Sequence, residues 1–132
     1  MTVTDEFRRP QSLVEVAEWS ASGADFDANL IDFLHQFRAE GRTEMLEAEP
    51  ATLASRFPSG PIADAYLAAT ACHLADSLAA PSPAWTRKPE RFCRHPWFAS
   101  PGPHMRAYLL VHSPAHFRER NLFVSEDDLE VL

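Results

Sequence analysis

Six prolines crowd positions 81–103 of this chain, and they limit its fold more than any other feature. Proline fixes φ and lacks the N–H donor that helix interiors and central strands need, so long regular structure is excluded there. Yet Trp85, Phe92, Trp97 and Phe98 lie in the same stretch, a load of aromatic surface that a solvated linker would not carry. The expectation is an ordered loop anchored by its aromatics, with one short helix near residues 88–93 and with Trp85 and Trp97 at least half buried.

On either side of this loop the signals are helical. Ser12 followed by Glu15 is a capping-box pattern that opens a short helix through about Ser20. Gly23 breaks it, and Asp25 or Asp27 can cap a second helix with Phe26, Leu30, Phe33, Leu34 and Phe37 at helical spacing. Gly41 stands where a C-terminal glycine belongs, and residues 43–49 make another short helix stopped at Pro50. Pro61 suits the first position of the longest helix, about 62–79. That helix is apolar nearly all round and therefore central, with Tyr66, Thr70, His73 and Ser77 as a polar seam or an exposed face. Beyond the loop, 104–112 reads as a helix, Ser113-Pro114 restarts the chain as cap and first-turn proline of a helix over 114–120, and 122–124 is extended. Ser125 to Asp128 forms a further capping box. The fold expected is all-α, one compact domain over 1–132 with six or seven short helices and a flexible N-terminus at 1–11.

Charge is divided along the chain. Residues 1–80 carry a net of −8, residues 85–120 a net of +5 and residues 121–132 a net of −4. Such asymmetry suggests either a basic surface between acidic ones or internal neutralisation. Two cysteines, Cys72 and Cys93, are too few for a disulfide framework and suit a reducing compartment. No apolar run reaches the length of a membrane span, and the N-terminus lacks the apolar centre of a signal peptide. The expected location is cytoplasmic.

The chemistry-bearing residues form no recognised catalytic pattern. The six histidines and two cysteines do not fall at structural-zinc spacings; Pro114 separates His112 from His116, and Cys72 reads as a small buried hydrophobe. No nucleophile elbow or phosphate-cradling glycine loop occurs. The chain is therefore expected to be no enzyme and to hold no metal or cofactor. Trp97, Phe98, Arg118, Arg120 and Asn121 are the residues that can make an interface, since Trp and Arg are enriched among binding hot spots. They have a fold-making reading too. Asn121 turns the chain so that Phe123 returns beside Phe117, and Arg118 is expected to be partly buried against an acid from the first eighty residues.

The order PAW (83–85), RF (91–92), PWF (96–98), RAYLL (106–110) and SPAHFRERNLFVS (113–125) resembles a poorly characterised bacterial family. Its small members are sometimes fused to a helix-turn-helix and are encoded beside nucleotidyltransferase-like toxins. The resemblance covers roughly 12–125. It implies an antitoxin-like partner of such a toxin, monomeric or weakly dimeric alone. The short stretch before the first helix leaves no room for a helix-turn-helix, so direct DNA binding is not expected. Toxins of this kind act on nucleotides and RNA through positive clefts, which the acidic helices of 12–49 and the acidic tail can complement. The alternative is a DNA- or RNA-binding regulator using the basic segment 87–120; against it stand a net charge of −7 and a pI near 5.3.

Overall fold

A computed structural model describes residues 8–100 and 102–125. The chain is mostly helical. Six α-helices are described: α1 (Leu13–Trp19), α2 (Gly23–Glu40), α3 (Glu44–Glu47), α4 (Gly60–Ser77), α5 (Pro103–His112) and α6 (Ala115–Arg118). Two short strands, β1 (Trp97–Phe98) and β2 (Leu122–Phe123), pair in parallel with Trp97 opposite Leu122. β2 lies in the extended stretch expected at 122–124, and its partner β1 is the strand not expected. The capping box expected over 125–128 lies outside the described residues.

Local signals explain most helix ends. Glu15 N–H donates to Ser12 Oγ at 3.2 Å and the Glu15 carboxylate accepts from Gln11 N–H at 2.7 Å, so the start of α1 is fixed from both sides. Gln11 is thereby tied down, Pro10 is buried and Arg8 pairs with Glu15 at 3.1 Å. The second helix starts earlier than its aspartates suggest. Ser22 is the cap, Asp25 is the box acid accepting from Ser22 N–H at 3.2 Å, and Gly23 opens the helix instead of breaking it. Gly41 takes the left-handed conformation that ends α2.

The 18-residue α4 divides the interior. On one side Leu67, Ala68, Ala71 and Leu74 pack with Leu13, Val16, Phe33, Leu46 and Trp85. On the other, Ala65 and Ala69 meet Phe117, Leu122 and Val124. Small residues on that second face let the α6–β2 layer approach closely. Tyr66 touches both clusters and meets Phe117 edge-on with ring centroids 5.0 Å apart. The Tyr66–Thr70–His73–Ser77 line is therefore largely a covered seam, exposed only at Ser77. Gly60 begins α4 because nothing larger fits: a Cβ there would lie 1.9 Å from Leu53 O.

The proline-rich loop is held by side chains. It contains two 3₁₀ turns, Ala84–Arg87 and Pro89–Arg91, where one short helix was expected. Trp85 is buried and its indole donates to Leu46 O at 3.1 Å; Trp97 is more than half buried. Arg91, fully buried, donates to Pro50 O at 2.6 Å, pairs with Glu49 at 3.3 Å and Asp64 at 3.7 Å, and lies over the Trp85 ring. Burial pushes the Asp64 carboxyl up, against the Leu53 N–H bond and the Arg91 charge that favour ionisation. Cys72 is buried and free.

The last helix differs from expectation at both ends. Pro114 is its cap, while Ser113 Oγ donates to Leu109 O at 2.5 Å and accepts from Val124 N–H at 3.0 Å. Ser113 therefore locks α5 to the chain after β2 instead of starting α6. Phe123 stacks on Phe98, ring centroids 4.8 Å apart, and it is Leu122 and Val124 that share the Phe117 cluster.

Removing the guanidinium by Arg91→Met leaves Asp64 buried without its charge partner and should destabilise the fold by about 3 kcal/mol in urea unfolding. Adding Asp64→Asn should restore part of that loss, because the amide oxygen can still accept from Leu53 N–H; no recovery in the double variant would contradict this account. Ala79 adopts a left-handed φ of 54° just past α4, with Ala80 N–H bonded to Ala75 O at 2.9 Å. Ala79→Gly should therefore raise stability by about 1 kcal/mol, read as a higher urea midpoint at unchanged slope.

Candidate protein-binding site

The five residues singled out for binding are not one surface. Arg120 is fully buried: it donates to Thr86 O at 2.8 Å and His116 O at 3.0 Å, pairs with Glu119 at 2.9 Å and lies over the Phe92 ring. Asn121 has φ of 64°, and its side chain donates to Cys93 O at 2.9 Å while its carbonyl accepts from Trp97 N–H. Both hold the loop to the core, and Asn121 turns the chain as expected. Arg118 is exposed and donates to Val111 O at 3.3 Å. The burial and acid pairing expected of Arg118 fall instead to Arg91, because Arg118 follows Phe117 on the helix and faces away from α4, whereas Arg91 sits in the loop that crosses it. Phe98 is half-buried between Phe123 and the Arg106 guanidinium.

Internal pairing absorbs much of the basic segment. Arg87 meets Glu119, Lys88 meets Glu49 at 2.7 Å, and His116 bridges Asp76 at 2.6 Å and Glu119 at 3.1 Å. Arg91 and Arg120 are buried, and Arg87 and Lys88, though exposed, are ion-paired. The Lys88 hydrogen bond, with Arg91 beside it, holds the Glu49 carboxyl below the ordinary carboxylate range. Burial pulls Glu119 upward, but the His116 hydrogen bond and the Arg120 and Arg87 charges outweigh it and hold that carboxyl low as well.

Trp97 has a different role. With Ile62 it forms the ridge between two depressions. The first, about 520 Å³, runs between α2, the start of α4 and residues 97–100. Its walls are Phe26, Leu30, Ile31, Phe57, Tyr66 and Trp97, with Asp27 as its one charged residue. Asp25 and Asp32 are exposed on the same helix. The second, about 700 Å³, is bordered by Phe92, Cys93, His95 and Trp97. Burial pushes the Cys93 thiol up, which keeps it protonated at neutral pH and unsuited to nucleophilic attack. Among the described residues no group of three or more His, Cys, Asp or Glu is placed to hold a metal ion.

The other outlying feature is α5. Of its ten residues only Leu109 is buried. Met105, Tyr108, Leu110 and Val111 are 41–67% exposed, and the remaining exposed large hydrophobic among the described residues is Ile31 at 44%, on the wall of the first groove. Contiguous exposed apolar surface of this kind marks interaction sites. The sequence reading missed both features. Their signals are present in Asp25, Asp27 and Asp32 flanking Ile31, and in a 104–112 segment whose apolar residues are not confined to one stripe.

No known protein family, characterised protein or solved structure matches this chain.

Glu49 and Glu119 release their protons more readily folded than unfolded, so their contribution is complete above the ordinary carboxylate pKa of about 4.3 and fades as pH falls through their lower folded values. Asp64 has the opposite sign, favouring the fold at low pH and opposing it as pH rises through its raised value. Below about pH 4 the melting temperature should therefore drop in the wild type, and Glu119→Gln should flatten that drop; an unchanged slope would remove Glu119 from the account.

Proposed function

We propose that this chain is a non-catalytic binding protein, antitoxin-like, that neutralises a nucleotidyltransferase-fold toxin by direct contact through the groove between α2, α4 and Trp97. The observation that carries this reading is an apolar groove edged by an acidic helix. Aromatic and aliphatic walls supply the desolvated centre of an interface, and Asp25, Asp27 and Asp32 supply a field that attracts a positive, nucleotide-binding surface and speeds encounter. The resemblance over 12–125 supplies the class of partner. In residues 85–120, Arg91 and Arg120 are buried and Lys88 and Arg87 are paired with Glu49 and Glu119, which reduces the continuous positive surface open to nucleic acid and favours a protein partner.

Co-expression with the nucleotidyltransferase-like protein encoded beside it should yield a stoichiometric complex and restore growth. Asp27→Lys should slow association at low salt and reduce its salt dependence, measured by surface plasmon resonance. Absence of a complex at micromolar concentrations would overturn the proposal.

A further inference from the structure

Two unsatisfied surfaces stand out, and they are complementary. The groove is apolar, carries Ile31 on its wall and has Asp27 as its one charged lining residue. Helix α5 is apolar, displays Met105, Tyr108, Leu110 and Val111, and bears Arg106 with His104 and His112 but no acid. Together these surfaces hold all five exposed large hydrophobics among the described residues.

We propose that a second copy of this chain seats its α5 in the groove, with Arg106 toward Asp27, and that the exchange is reciprocal. The inference rests on the same groove being the partner site, and it specifies the ligand chemistry that groove takes: an apolar helix that carries an arginine. Helix-in-groove docking works by placing apolar side chains at helical spacing into an apolar channel, and Met105, Tyr108 and Val111 recur at such spacing. Each copy has one groove and one α5, so a two-fold axis satisfies both contacts at once and closes the assembly. The connection is short: Ser100 lines the groove and α5 begins at Pro103, so the helix a chain donates leaves from beside the groove it offers. A toxin segment of the same chemistry competes with the second copy, which makes the dimer the form that awaits the partner.

The test uses the free chain without toxin, so that its outcome is separate from toxin binding. Sedimentation velocity across the micromolar range should show a reversible monomer–dimer equilibrium that weakens with salt. Ile31→Arg in the groove and Val111→Asp on α5, both at exposed positions that should leave the melting temperature unchanged, should each raise the dissociation constant at least about tenfold. Mixing Ile31→Cys chains with Val111→Cys chains under mild oxidation should give a disulfide-linked heterodimer in preference to either homodimer. A chain that stays monomeric throughout overturns the proposal. So does a dimer that loses its stability with Val111→Asp but not with Ile31→Arg, since α5 then pairs with α5. Toxin capture by a chain that fails these tests would leave the groove's role as partner site standing.

Discussion

Two guanidinium groups with no access to solvent hold this structure together. A proline-rich loop has carbonyl acceptors in plenty and few N–H donors, so beyond the short β1–β2 pairing at its end it has no ladder to bond it to the rest of the chain. Arg91 and Arg120 supply the missing donors. Arg91 reaches Pro50 O and Asp64 on one flank of the loop, and Arg120 reaches Thr86 O and His116 O on the other. Each is also stacked on an aromatic ring of that loop, Trp85 and Phe92 respectively. Planar forks with several fixed donors suit this task in a way lysine does not. Each leaves its Nε unpartnered, a desolvation cost that the remaining bonds and ring contacts offset.

This arrangement explains what could be read from the sequence and what could not. Helix termini depend on neighbours three or four residues away, so Ser12, Gly41 and Pro61 announce themselves. Ser22 escaped because two aspartates downstream offer the same chemistry, and only the backbone decides which residue is cap and which is box acid. The aromatic anchoring of the loop was legible, since prolines without a ladder must be held by something. The identity of its cations was not. Seven basic residues over 85–120 all read as candidates, and burial was assigned to Arg118 when the tertiary crossing over α4 selects Arg91 and Arg120. Ser113 shows the same limit: its hydroxyl spans to Val124 across a distance in sequence that no local rule measures.

The groove and the exposed face of α5 were legible only in part, for a related reason. Trp97 was singled out for its chemistry and does line the groove, but four of the groove's other walls come from α2 and α4. In those helices Phe26, Leu30 and Ile62 read as ordinary core, and Tyr66 as part of a polar seam or exposed face. Whether an apolar side chain closes a core or borders an open groove depends on whether a third layer arrives to cover it. Here the layer that arrives over α4 is the α6–β2 unit, which stops short of the space beside Phe57 and Ile31.

The helix before that layer, α5, is bounded by a proline at each end. Pro103 begins the helix and Pro114 follows it at once, so neither end propagates into a neighbouring helix. Its attachments are Leu109, the Ser113 hydroxyl bond to Val124 N–H, Arg118 on the Val111 carbonyl, and Arg106 over the Phe98 ring. A ten-residue helix with so few buried contacts draws little stability from packing and belongs to the low-stability end of the molecule. The two arginine clasps lie elsewhere, on the flanks of α4. Movement of α5 therefore leaves Arg91, Arg120 and both apolar clusters bonded as they are, apart from the edge at Val124. Binding energy spent on repositioning this helix is not spent against the core, which is the physical condition for a small fold to exchange partners without unfolding.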